Sequence, residues 1–245
     1  MGKTESSRKR LKEMTMEMYV DGEYLRRNPT WDVEHSPWKA RQIVKMMGRN
    51  DIVPKIICEV GCGAGAILSE LQKQMGTNCS FWGYEISPQA FELSRQKSNE
   101  NLNFRLKDIL EEANVFFDLI LMIDLIEHLE DYFGFLRKIK PKSQYKILHI
   151  PLDLSVQTVF RMSPILRDRE SEGHINYFTK DLALRTLSDV GYDIVDYFYT
   201  GAAIDLPVKS INRQILKLPR KLLFGMHPDL AVRILGGYSL MLLVK

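Results

Sequence analysis

The amino-acid sequence predicts an α/β fold: a parallel sheet with helices on both of its faces. Three observations carry the prediction. Between residues 55 and 151, short apolar runs rich in β-branched side chains alternate with segments of helical period, the order that buries a parallel sheet on both sides. A glycine-rich turn, Gly61 to Gly65, joins the first such run to the helix behind it. The chain has 245 residues, 45% hydrophobic and 27% charged, which excludes a disordered chain and suffices for one such domain with extensions.

Residues 1 to about 18 are polar and basic, with no apolar stretch of the kind a secretory leader needs. Ser36 and Pro37 open a helix, a hydroxyl cap followed by proline; Trp38, Ile43, Val44 and Met47 give it an apolar side, and Gly48 stops it. Residues 55–60 form a buried strand, 66–75 a helix and 81–86 a second strand. Ser87 and Pro88 open the next helix, and 103–109 is the third strand. The fourth strand, 116–124, is the most apolar; a helix over 125–139 and a fifth strand over 145–151 follow. A charged loop then runs from Asp153 to Gly173. The last third holds a helix over 181–191 and strands over 193–200 and 238–245. Between those strands lies a basic, apolar, proline-interrupted insertion at about 205–236, far longer than the usual connection of ~4–6 residues, so it carries helices of its own. The expected division is residues 1–50 as an N-terminal segment and 51–245 as the sheet domain.

Charge narrows the partners. Lys and Arg number 34 against 31 Asp and Glu, a net charge of +3 that is too even to signal nucleic acid. Cys58, Cys62 and Cys79 are an odd set without zinc-ligand spacing and read as reduced thiols of a cytoplasmic protein. No apolar run approaches the ~20 residues needed to span a bilayer.

The strongest chemical signal is E-V-G-C-G-A-G, Glu59 to Gly65, between a strand and a helix. Glycines there let backbone approach a ligand, and the helix start offers free N–H groups. Gly61-x-Gly63-x-x-Ala66 also satisfies the dinucleotide fingerprint. Glu85 ends the second strand, where a carboxylate can take both ribose hydroxyls, and Asp108 ends the third. Strand carboxyl ends face one crevice, so these groups can converge on one ligand.

The series EVGCGAG, GYEIS, LKDIL and FDLILMIDLIEHLED resembles the class I S-adenosylmethionine-dependent methyltransferases over about residues 50–150. The resemblance implies a Rossmann-like, doubly wound seven-stranded sheet whose last strand is antiparallel, with an N-terminal helical lid and S-adenosyl-L-methionine as cofactor. It places Gly61 and Gly63, with Cys62 and Gly65 in the same loop, against the methionine and ribose parts. Glu59 organises the loop and Glu85 binds the ribose diol. Asp108 meets the adenine amino group, with Ile86 and Ile109 beside the ring, and Asp124 lies near the methionine or sulfonium end. By the same analogy Trp31, His35 and Trp38 belong to the lid. A nicotinamide dehydrogenase would instead carry its glycine loop near the chain start.

Methyl transfer from a sulfonium is an in-line displacement, so a protein mainly positions the nucleophile, and a hydroxyl acceptor benefits from a base. On a helix over 125–139, Asp124, Glu127 and His128 share one face. His174 follows in EGHINYFT. Ubiquinone-pathway O-methyltransferases and small-RNA 2′-hydroxyl methyltransferases have an E-x-x-E-H cluster plus a later histidine that holds a divalent metal, and Asp124, Glu127, His128 and His174 could mimic that set with Asp in the first place. No metal is assigned; His128, His174 and Glu127 are the catalytic candidates. A histidine base with an ordinary pKa gives activity rising through about pH 6.5. His149 is read as structural and His227 as a turn residue. The insertion, with Lys209, Arg213, Lys217, Arg220, Lys221 and Arg233, could be a pocket lid, a dimer surface or a peripheral membrane contact. The function expected is O-methylation of a small or carrier-linked acceptor; the alternatives are a methyltransferase-like binding subunit without turnover and an RNA 2′-hydroxyl methyltransferase.

Overall fold

The computed structural model describes residues 19, 21–31, 33–206 and 211–245, side chains at 203, 211–216 and 219 excepted. A short helix, α1 (Glu23–Arg27), precedes the long α2 (Ser36–Arg49). Then strand and helix alternate: β1 (Ile56–Val60), α3 (Ala66–Met75), β2 (Ser80–Glu85), α4 (Pro88–Arg95), β3 (Leu102–Leu106), β4 (Phe117–Ile123), α5 (Tyr132–Ile139) and β5 (Ser143–Pro151). The remainder is α6 (Val156–Arg161), α7 (Ser163–Ser171), α8 (Lys180–Asp189), β6 (Ile194–Thr200), α9 (Ala202–Asp205), α10 (Ile211–Met226), α11 (Pro228–Leu235) and β7 (Ser239–Val244).

The seven strands form one sheet in the order β3-β2-β1-β4-β5-β7-β6. All pairings from β3 to β5 are parallel, and β7 runs antiparallel to both β5 and β6. Alternation along β4 divides the core. Leu119, Leu121 and Ile123 pack on one face with Leu68, Leu71 and Ile43, whereas Ile120 and Met122 pack on the other with Leu136, Ile139 and Leu187. The chain order reverses beside β1 and β4, so the carboxyl ends of these strands open a crevice.

Several local expectations change. Ser87 caps α4 as expected, accepting from Ala90 N, but Ser36 is buried inside α2 and makes no capping bond. Gly48 does not stop α2, which runs on to Arg49 and ends where the Asn50 side chain donates to the Met46 carbonyl, 3.0 Å. α2 sinks Ala40, Ile43, Met46 and Met47 into the core, while its start, with Ser36, Trp38 and Lys39, lines the crevice. No helix covers 125–139: Ile126–His128 is a single 3-10 turn, Leu129 is extended, and α5 starts only after Asp131 accepts from Gly134 N. The loop from Asp153 to Gly173 contains two helices, α6 and α7, the first closed by a Ser155–Thr158 capping box. The insertion does form helices of its own, α9 to α11; Lys209 lies outside the described residues, as do residues 1–18, and the Arg213 side chain is not described. Among the described residues no helix is long and apolar enough to cross a membrane.

Candidate active site

β1 leads straight into the glycine loop. Gly61, Gly63 and Gly65 all have positive φ, +67°, +52° and +72°. The loop is pinned to β2, since the Gly61 and Cys62 amides donate to the Tyr84 carbonyl. Glu85 completes it: Oε2 accepts from Gly63 N at 2.7 Å, and Oε1 accepts from the amides of Ile86 and Ser87, each 2.8 Å. The glycines differ in what surrounds them. A Cβ on Gly65 would come within 2.5 Å of Phe104, so this residue serves helix packing and does not line the crevice. A Cβ on Gly63 would meet only Trp31, at 3.5 Å, on the open side.

The crevice is a cavity of about 1030 Å³. Its lining includes Gly61, Cys62, Gly63, Glu85, Ile86, Asp108 and Ile109, together with His128 and His174. Glu59 and Asp124 line the same space, as do the lid candidates Trp31, His35 and Trp38. Asp108 lies past the end of β3, where its Oδ1 accepts from Leu110 N, 2.8 Å, and holds the turn that carries buried Ile109. Two buried polar atoms on this wall, Glu59 Oε2 and Trp31 Nε1, have no hydrogen-bond partner among the described residues. An acceptor and a donor left bare suit a ligand that supplies both. Burial pushes the Glu59 carboxyl up to about 8, against the attraction of Lys39.

Asp124 leaves β4 with a positive φ of 50°, uncommon for a residue with a side chain, and is held there from both sides. Its Oδ2 pairs with Lys39 Nζ at 2.8 Å and its Oδ1 with His149 Nδ1 at 2.5 Å. His149 Nε2 reaches Thr200 Oγ1 at 2.8 Å. Burial works against the Asp124 carboxylate, but His149 and Lys39 outweigh it and hold its pKa well below the ordinary range.

The His128 and His174 rings meet edge to face with centroids 4.9 Å apart. His174 Nδ1 lies 2.8 Å from Asp153 Oδ2. Burial alone would pull the His174 pKa down, yet Asp153 raises it by hydrogen bond and charge. His128 Nδ1 lies 2.9 Å from the Tyr19 hydroxyl and 3.3 Å from the Gly173 carbonyl. The Tyr19 hydroxyl donates its one proton to the Glu172 carbonyl, 3.0 Å, so both neighbours of Nδ1 act as acceptors. That assigns the proton of a neutral His128 to Nδ1 and leaves the lone pair on Nε2, which lies 4.0 Å from Glu127 Oε1. Burial and the neighbouring His174 push the His128 pKa down to about 4, so the neutral ring is the standing form at neutral pH.

Glu127 is fully buried, lies behind the cavity wall, and neither carboxylate oxygen finds a hydrogen bond among the described residues. Burial and the charge of Asp124 lift its pKa well above the carboxylate range. One donor atom each of Glu127, His128 and His174 lies within 4.8 Å of the others, but Asp124, the expected fourth member, is turned toward Lys39 and His149. The turn is braced from outside: Ile175 and Asn176 amides donate to the Glu127 carbonyl, and Asn176 Nδ2 donates to the carbonyls of Ile126 and Leu129.

Sequence reasoning missed Lys39, Tyr19 and Asp153, and read His149 as structural only. No motif marks them, because each meets its partner across a long sequence separation. A histidine at the carboxyl end of a strand paired with the strand carrying Asp124 was the one available signal for His149.

Residues 34–197 match the methyltransferase domain family. Norajmaline N-methyltransferase of Rauvolfia serpentina is 32% identical over 92 residues, a stretch that spans 35% of this chain and only 31% of that enzyme. Among solved structures, the plantazolicin methyltransferase BpumL in complex with a monoazolic desmethylPZN analog and SAH superposes with a TM-score of 0.62 at 17% identity, covering 94% of this chain and 93% of that one. The magnesium protoporphyrin IX methyltransferase of Synechocystis PCC 6803, with bound SAH, gives 0.57 at 15% identity over 85% and 82% of the two chains.

Proposed function

The chain belongs to the class I S-adenosylmethionine-dependent methyltransferases, and from that premise we propose that it methylates a hydroxyl oxygen of a small or carrier-linked acceptor. The observation that carries this reading is one cavity lined both by the glycine loop and by His128 and His174, with the neutral His128 ring protonated at Nδ1. S-adenosylmethionine, when bound, supplies an electrophilic methyl group on a sulfonium.

The residues present fit that cofactor. The glycine loop gives backbone-close approach through Gly61, Cys62 and Gly63, and Gly65 holds the following helix in place. Glu85 takes the ribose diol, while Asp108, Ile86 and Ile109 take the adenine. The bare Glu59 Oε2 and the Asp124 carboxylate face the methionine end, where a cationic ammonium would find its partner. Tyr19, Tyr24 and Trp31 wall this space from the N-terminal side and act as the lid. His128 takes the acceptor proton at Nε2 as the carbon–oxygen bond forms, and His174, oriented by Asp153, contacts the acceptor. Glu127 acts from behind as a neutral positioning group, without a metal. Its amine counterpart, N-methylation, needs no base and is the outcome that an unaffected His128→Ala variant would support.

Two measurements test the proposal. Calorimetry with S-adenosylhomocysteine should give tight binding to the wild type, weakened by about 1.5–3 kcal/mol in Glu85→Ala through lost charged hydrogen bonds. Release of S-adenosylhomocysteine from S-adenosylmethionine should depend on added hydroxyl compounds. Binding without release from any acceptor would leave a binding subunit instead.

A further inference from the structure

Two neighbouring helices, α6 and α10, carry apolar side chains on their outer sides, while α11 buries Ala231 and Val232 in the core. On the described part of α10, Lys217, Arg220 and Phe224 face inward. Lys217 Nζ donates to the carbonyls of Ile204 and Leu206, and Arg220 donates to Gln157 Oε1 and the Leu235 carbonyl, each at 3.2 Å. Phe224 stacks on Tyr238 with ring centroids 5.1 Å apart. Steps of four residues place Leu218, Leu222 and Met226 on the opposite side, where they are 75%, 66% and 60% exposed. α6 repeats the inversion: the Thr158 hydroxyl faces inward onto the Asp153 carbonyl, whereas Val156, Val159 and Phe160 face out, Phe160 91% exposed. Arg220 ties α10 to α6 and to the end of α11, so these helices form one surface, to which α11 adds exposed Leu230 and Ile234. A single exposed leucine needs no account, but a run of exposed apolar side chains across two packed helices and the edge of a third does.

The charge says what covers this surface. From Leu206 to Pro228 the sequence has no Asp or Glu; Lys217 and Arg220 are taken up by inward partners, which leaves Lys221 at the described surface. Exposed Lys221 flanks the α10 stripe, and exposed Arg161 ends α6. A second copy docked about a two-fold axis would set these cations against themselves. An apolar stripe bordered by cations matches an anionic membrane surface, whose acyl boundary takes the apolar side chains and whose phosphates take the cations.

We propose that α6, α10 and α11 form a peripheral docking surface for an anionic lipid bilayer. α6 leaves the carboxyl end of β5 at Pro151, and Pro151, Ala202 and Ser239 line the crevice itself. The docked chain therefore holds the acceptor end of its cavity close to the lipid headgroups. The docking does not depend on the O-methylation reading; only its consequence, a lipid-borne acceptor, rests on that reading.

The test is sedimentation of the full chain with vesicles of phosphatidylcholine alone or mixed with phosphatidylglycerol. The chain should pellet with the anionic vesicles and be released by salt. Phe160→Glu and Leu222→Glu should each lower the partition by about tenfold or more, and Lys221→Gln by about fivefold. All three side chains are exposed, so melting temperature and S-adenosylhomocysteine binding should stay at wild-type values, which separates failure here from failure of the cofactor reading. Wild-type chain that stays in the supernatant with anionic vesicles overturns the proposal. So does a wild-type dimer, seen by light scattering, that Leu222→Glu converts to monomer without any vesicle binding.

Discussion

Asp124 and His149 are joined twice across neighbouring strands: the Asp124 amide donates to the His149 carbonyl at 3.0 Å, and the side chains meet at 2.5 Å. With Lys39 on the other oxygen and Thr200 behind the imidazole, this chain of contacts links α2, β4, β5 and β6 beneath the crevice. It holds Asp124 in a left-handed conformation that costs about 1–3 kcal/mol on its own. Asp124→Asn keeps the shape and removes the charge, leaving Lys39 without its carboxylate. The expected loss is about 1.5–3 kcal/mol of unfolding free energy, measured by urea denaturation, together with weaker cofactor binding. A variant as stable as the wild type would show that the carboxylate contributes shape alone.

His128 and His174 should both matter to turnover and little to cofactor affinity. His128→Ala is expected to lower kcat by about 10²–10⁴. The His128 pKa, pushed down to about 4, changes the pH expectation from that of an ordinary histidine. The base is already neutral at pH 6.5, so kcat rises through about pH 4 and stays level from pH 6 to 8. A limb near pH 6.5 in the wild-type profile would contradict the buried environment. Chelator separates the two readings of this cluster: turnover that survives it supports His128 as base, whereas loss restored by a divalent cation would assign a metal to Glu127, His128 and His174.

Asp153→Asn probes a residue that acts through another. It should lower the His174 pKa, because the carboxylate supplies both the hydrogen bond and the charge that raise it. Nuclear magnetic resonance titration of the imidazole reads this directly. A fall in kcat without that shift would point to a structural role only.

Glu59 makes stability depend on pH. Its folded-state pKa, about 8, lies above the unfolded value near 4.3, so the folded state holds the proton more tightly. This contribution is fully present below about pH 4 and is lost as pH rises toward 8. Glu59→Gln removes the dependence, and should be more stable than the wild type by about 2–4 kcal/mol at pH 8, with no advantage at pH 4. Thermal melts at the two pH values check it; equal gains at both would mean packing and not ionisation.

The glycines of the loop should separate by function. Gly65→Ala drives a Cβ into Phe104 and demands a strained φ, so it should unfold or strongly destabilise the domain. Gly63→Ala meets open cavity and Trp31 only, so it should cost about 1–2 kcal/mol of backbone strain and chiefly weaken cofactor binding. Melting temperature against calorimetric affinity distinguishes the two. Equal effects on both readouts would place the two glycines in one role.

Periodicity by itself determined the strands and most helices, because a strand buried on both faces and an amphipathic helix each write their surroundings into consecutive residues. The glycine loop, Glu85 and Asp108 were legible for a related reason: each stands at the end of its own strand, and a sheet that alternates strand and helix brings strand ends together. The expected helix over 125–139 forms only from Tyr132, because in the first part Asn176, about 50 residues away, takes the carbonyls of Ile126 and Leu129. The pairing of Asp124 with Lys39 and His149, the proton assignment on His128 through Tyr19, and the burial of Glu127 were likewise decided only in the tertiary structure. A side chain's partner and its distance from water are properties of what the fold brings against it, and no local pattern of residues encodes either.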